Sequence, residues 1–144
     1  MSKGSQTMRP FHLAIVVDDL AEARRFYGEV LGCPEGRSDS HWVDFNMFGH
    51  QLVCHLGDRP EMSASNEVDG DAVPVPHFGV VLTMADWKAL AGRLEDSGIK
   101  FQVAPKIRFA GKPGEQGTFF LYDPFGNALE FKGLTDLDGL FAKQ

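Results

Sequence analysis

The chain is 144 residues long and 43% apolar, and it carries a net charge of −6. A domain of this size can bury about two-thirds of the surface its unfolded chain exposes, so it can build a real core and is not disordered by composition. The acidic balance, with no basic stripe, argues against non-specific nucleic-acid binding. No apolar run approaches the roughly 20 residues of a membrane-spanning helix.

Residues 1–9 are polar, without the hydrophobic core of an export signal, and read as a loose tail. The first β-rich run is Phe11-His12-Leu13-Ala14-Ile15-Val16-Val17. Asp19 is a good helix N-cap, with Glu22 in capping-box position. Leu20, Ala23, Tyr27, Val30 and Leu31 then recur at helical spacing, and Gly32 is a natural stop. Short β-like runs follow at 34–38, 41–47 and 50–57. Cys33 and Cys54 are too few for a disulfide framework and resemble no zinc motif. They read as reduced thiols of a cytoplasmic protein.

Residues 58–75 are polar, acidic and rich in Pro, Gly and Ser, and read as an exposed linker. Beyond it the pattern repeats. Pro76-His77-Phe78-Gly79-Val80-Val81-Leu82 matches the first run, with its histidine second and a small residue two further on. Thr83 caps a second helix, whose apolar stripe is Trp87, Leu90, Ala91 and Leu94, and Gly98 ends it. Runs at 99–104, 116–122 and 127–132 follow, the last after the turn signal Asp123-Pro124-Phe125-Gly126-Asn127. A loop over 105–116 carries Lys106, Arg108 and Lys112. The order is βαβββ twice. It implies an α+β fold of two modules, 10–57 and 76–134, in one domain over 10–134, with a second tail at 135–144.

Alternation along the strands sorts their faces. His12, Ala14 and Val16 share one face of the first strand, His77, Gly79 and Val81 one face of its repeat, and Ala128 and Glu130 one face of the last strand. The opposite faces are bulky and apolar. A lone histidine on a strand is more often a hydrogen-bonded core residue than a ligand, and Glu130 with Lys132 fits a solvated face. The joint pattern is stronger, because His12 and His77 occupy equivalent repeat positions. If the modules pair about a pseudo-twofold axis, a cation between the histidines would explain a carboxylate pointed at them. His55 has the same strand parity as the position matching Glu130, and is open as a fourth ligand, an acid or base near the site, or a surface residue. His41 and His50 carry no positional argument.

These features resemble the vicinal oxygen chelate superfamily, which includes glyoxalase I, extradiol dioxygenases, fosfomycin- and bleomycin-resistance proteins and methylmalonyl-CoA epimerase. The resemblance rests on Phe11-His12-Leu13-Ala14, Arg25-Phe26-Tyr27 with Leu31-Gly32, Pro76-His77-Phe78-Gly79, and Asp123-Pro124-Phe125-Gly126-Asn127 leading to Leu129-Glu130-Phe131. Phe48-Gly49-His50-Gln51-Leu52-Val53 and Pro113-Gly114-Glu115-Gln116 are similar to predicted dioxygenases of the extradiol type. The resemblance implies an incompletely closed mixed sheet, with His12, His77 and Glu130 as ligands of one divalent metal. Glyoxalase-like members place a fourth ligand, a glutamate, in the strand where this chain has Gln51, Val53 and His55, so a three-ligand site is expected here.

Two histidines and a carboxylate with open coordination positions suit Fe(II) and O2. The expected reaction is a dioxygenation of a small substrate with adjacent oxygens. In this scheme His55 transfers protons, since imidazole as a class exchanges them near neutral pH. Arg108 and Lys112 either hold an anionic group of the substrate or keep their loop soluble. Two other readings stand beside it: a lyase or isomerase using Zn, Ni, Co or Mn, and a non-enzymatic protein that sequesters a small molecule such as a drug. Family habit further implies a homodimer.

Overall fold

The computed structural model describes residues 9–58, 64–68 and 70–141. The chain divides into two compact units, with the boundary after Asp58. The α+β class and the two βαβββ modules expected from the sequence are both present.

The first unit contains β1 (His12–Val17), the helix α1 (Leu20–Ala23) running into a π-helical turn (Arg24–Val30), β2 (Glu35–Ser38), β3 (Trp42–Met47) and β4 (His50–Leu56). Its sheet has the order β1-β4-β3-β2. β1 lies parallel to β4, and the other pairs are antiparallel. Asp19 caps α1 by accepting from the Glu22 N–H at 3.1 Å. The Glu22 carboxylate instead accepts from Arg25 Nε at 3.1 Å, rather than being seen to close a capping box. The π-helical stretch departs from the expected 3.6 period. Its wider turn, closed by Leu31 N–H to Phe26 O at 2.9 Å, lets the adjacent Phe26 and Tyr27 both point inward, while Val30 is only half-buried. Tyr27 packs edge-on to Phe26 and against Phe45 of β3, so helix and sheet share one aromatic core.

In the second unit the described part of the expected linker is a β-hairpin, β5 (Ala64–Val68) and β6 (Asp71–Val75), while 59–63 and 69 lie outside the described residues. The available signal was Asp69-Gly70, a residue pair favoured in two-residue hairpin turns, and Gly70 has φ +87°. Then come β7 (Val81–Thr83), α2 (Met84–Asp96), β8 (Phe101–Arg108), β9 (Gln116–Tyr122), β10 (Ala128–Leu134) and a 3-10 turn (Leu137–Phe141). The sheet order β7-β10-β9-β8 reproduces that of the first unit, with β7 parallel to β10. The stripe of α2 is buried as expected. Trp87 lies against Gly117 and Gly133, which are paired across β9 and β10, and its Nε1 donates to Phe131 O at 2.9 Å.

β8 runs four residues past its expected end, so Lys106 and Arg108 stand on a strand and not on a loop. Pro105 is tolerated because β8 is the edge strand and the β8–β9 register shifts between Val103 and Lys106. The Asp123–Asn127 turn is built on one carboxylate. Asp123 Oδ1 accepts from the N–H groups of Phe125 and Asn127, and Oδ2 accepts from Asn127 Nδ2. This turn sets the start of β10 and hence the register of Glu130.

Candidate metal centre

The second unit brings His77 and Glu130 together. The segment before β7 joins β10 by Phe78 N–H to Ala128 O (3.1 Å) and Glu130 N–H to Phe78 O (2.8 Å). The backbones approach so closely that a Cβ on Gly79 would sit 1.5 Å from Glu130 O. The small residue beside His77 therefore does more than leave room above the sheet, because it lets this strand contact form at all. Glu130 is 8% exposed, not solvated. Its Oε2 accepts a short hydrogen bond from Thr118 Oγ1 on β9, and its Oε1 lies 3.1 Å from His77 Nε2. His77 Nδ1 donates to Pro74 O at 2.7 Å, and the ring packs edge-on against Phe120 at 5.0 Å.

This polarity has a chemical consequence. A carbonyl oxygen only accepts, so His77 carries its proton on Nδ1. In a neutral ring Nε2 then presents a lone pair to a carboxylate oxygen. Two acceptors face each other at hydrogen-bond distance, an arrangement that calls for a proton or a cation at Nε2. A backbone carbonyl holding the far ring nitrogen is also the usual setting of a metal-binding imidazole. These two donors thus fit a divalent ion.

The first unit holds His12, exposed on β1 with Gln51 as its register partner on β4. Its Nδ1 lies 2.8 Å from Gln51 Oε1, and Gln51 Nε2 donates to Asp44 Oδ2 at 3.0 Å. His12 therefore also has Nδ1 engaged, leaving Nε2 as its available lone pair. A shallow cleft of about 230 Å³ in this unit is lined in part by Pro10, Asp44, Asn46, His50 and Gln51. Within neither unit do three or more His, Cys, Asp or Glu among the described residues gather into a metal-binding cluster.

His55 is exposed, and on β4 it pairs with Val16 and Trp42. It stands four residues from Gln51, on the order of 13 Å along the strand, so the unit does not bring it to His12. His50 has a structural use, since its Nδ1 accepts from Phe11 N–H at 2.8 Å where β1 begins. His41 is exposed beside Ser40.

Arg108 departs most from expectation. It is 2% exposed, its Nη1 donates to Val68 O, and its Nη2 faces Asp71 Oδ2 at 3.1 Å in an ion pair outside hydrogen-bond geometry. Lys106 Nζ reaches the same Asp71 oxygen at 2.9 Å. The hydrogen bond from Lys106, aided by the charge of Arg108, holds the Asp71 carboxyl below the usual aspartate range. Arg108 thus pins the β5–β6 hairpin to β8, and its guanidinium lies 6.0 Å from the centroid of Phe120, the ring that His77 also touches. Lys112 is exposed in the turn after β8. Sequence reasoning missed Thr118, Asp71, Gln51 and Asp44 as partners. Strand parity from Glu130 and His12 identifies the faces, but not which polar neighbours the register brings alongside.

Residues 9–131 match the model of the Glyoxalase/Bleomycin resistance protein/Dioxygenase superfamily. Among solved structures, the chain is similar to a glyoxalase/bleomycin resistance protein/dioxygenase from Alicyclobacillus acidocaldarius. They are 37% identical with a TM-score of 0.78, over 93% of this chain and 96% of that one. It is also similar in fold to a mutant of the fosfomycin resistance protein FosX from Listeria monocytogenes, complexed with Mn(II) and 1S,2S-dihydroxypropylphosphonic acid. Here the identity is 16% and the TM-score 0.67, over 94% and 96% of the two chains. A lactoylglutathione lyase from Agrobacterium tumefaciens shares the fold at 18% identity and a TM-score of 0.63, over 95% and 98%. No curated protein matches the chain.

Proposed function

The chain belongs to the Glyoxalase/Bleomycin resistance protein/Dioxygenase superfamily, and from that membership we propose that it is a metal-dependent enzyme acting on a small substrate with vicinal oxygens. The proposed ligands are His12, His77 and Glu130, and the proposed chemistry is extradiol-type dioxygenation with Fe(II) and O2. The carrying observation is the His77–Glu130 pair, with Nδ1 donating to Pro74 O and Nε2 opposed to a carboxylate oxygen at 3.1 Å. The Mn(II) in the FosX complex supports a divalent ion in this fold without fixing which one this chain takes.

A bound divalent ion supplies Lewis acidity and, as ferrous iron, redox chemistry with O2. The chain's own residues do the positioning. Pro74 O holds the His77 ring, Thr118 fixes the Glu130 carboxylate, and Gly79 brings their two strands together. The expected proton carrier, His55, stands on the order of 13 Å along β4 from Gln51, the register partner of His12, too far for direct proton exchange beside that ligand, so it is assigned no step in the proposed reaction. Arg108 would act on an anionic substrate through its charge rather than by contact, since it is buried and paired, while Lys112 is free to reach one from its exposed turn. A homodimer in the cytoplasm completes the proposal.

Metal analysis of untagged protein, prepared with and without air, tests it beside His77→Ala. Near-stoichiometric iron that is lost in air and in the variant supports the dioxygenase reading. Zinc, nickel, cobalt or manganese would replace it with lyase or isomerase chemistry. Protein that neither carries nor binds a divalent metal overturns the proposal and leaves a small-molecule binding protein.

A further inference from the structure

The chain from Asp44 through Gln51 to His12 has a direction, and the direction is imposed at its buried end. Asp44 is 8% exposed on β3, and a carboxylate only accepts hydrogen bonds. The group of Gln51 that lies 3.0 Å from Asp44 Oδ2 is therefore its amide nitrogen. An amide that turns its nitrogen to Asp44 turns its oxygen the other way, and that oxygen sits 2.8 Å from His12 Nδ1. Oε1 also only accepts, so His12 must carry its proton on Nδ1. One acceptor-only group thus fixes the amide, and the amide fixes the imidazole.

We infer that Asp44 and Gln51 are positioning residues that lock His12 in the Nδ1–H tautomer and leave Nε2 as its basic atom. The second unit supplies an independent parallel. His77, at the equivalent repeat position, reaches the same polarity through the backbone carbonyl of Pro74. The two modules therefore present both histidines with the same nitrogen available, one through a main-chain acceptor and the other through two side chains. The consequence for metal binding rests on the proposed function, whereas the tautomer itself does not.

Long-range ¹H–¹⁵N NMR of the metal-free protein, at a pH where imidazole is neutral, reads the ring nitrogens of each histidine directly. The wild type is expected to show His12 as the Nδ1–H tautomer. Asp44→Asn keeps the shape but can present either a donor or an acceptor, and Gln51→Leu removes the acceptor. In both variants His12 should shift toward a mixture containing the Nε2–H form, while the His77 signals stay in place and report that the fold persists. An Nε2–H His12 in the wild type, or an unchanged His12 in both variants, overturns the inference. Titration with Mn(II) separates the two readings. Affinity 10- to 100-fold weaker in the variants, the usual effect of losing a ligand's outer partner, supports both. A tautomer change with no Mn(II) bound to any form supports the relay and counts against His12 as a ligand.

Discussion

Gly79→Ala tests whether the His77–Glu130 pair depends on the close approach of its two strands. An alanine Cβ would lie 1.5 Å from Glu130 O, 2.6 Å from Glu130 C and 3.3 Å from Glu130 N. All three atoms are backbone, so no side-chain rotation relieves the overlap. Non-bonded heavy atoms prefer about 3.5–4.0 Å, so the strands must part by about 2 Å. That separation breaks Phe78 N–H to Ala128 O, Glu130 N–H to Phe78 O and Lys132 N–H to Val80 O. At about 1 kcal/mol each, the loss is about 3 kcal/mol before any effect on the core beneath. Urea denaturation followed by tryptophan fluorescence should show it as an earlier midpoint at similar slope. Metal affinity should fall with it, because Glu130 moves with its backbone. A variant within about 0.5 kcal/mol of wild type, the range of an inconsequential surface substitution, would refute the reasoning.

Thr118→Val removes the hydroxyl that donates to Glu130 Oε2 without changing side-chain shape. Leaving a buried carboxylate oxygen unsatisfied should cost about 1–3 kcal/mol, and metal affinity measured by competition should drop; unchanged values in both would show that Thr118 does not hold the carboxylate. Asp71→Asn probes the hairpin latch through pH. The Asp71 carboxyl is held below its ordinary value of 3.8, first by the Lys106 hydrogen bond, so its contribution to stability is present above that value and is lost as pH falls through the lowered one. Denaturation midpoints of wild type and variant should therefore differ at pH 7 and converge in acid; a gap that widens in acid would contradict the assigned direction.

The repeat was legible because it rests on local signals. Asp19 and Thr83 as caps, the stripe Trp87, Leu90, Ala91 and Leu94, and the Asp123–Asn127 turn each act within a few residues of sequence. The departures arise where longer-range partners decide. Arg108 read as a loop cation because Pro105 and the glycines around it suggest a break. Its true setting depends on Asp71, 37 residues earlier on a hairpin whose polar composition concealed it. The same logic governs the candidate site. Strand parity places His12, His77 and Glu130 on faces but says nothing of which nitrogen each imidazole offers. That choice is made by Pro74, which reaches His77 across a bend, and by Asp44 and Gln51, which strand register sets on the same face as His12. For an imidazole ligand the chemistry lies in the polarity of its second nitrogen's partner. The proposed metal site is therefore specified by acceptors that no ligand motif contains, and substitutions at Asp44 or Gln51 should alter the tautomer of His12 while leaving every proposed ligand in place.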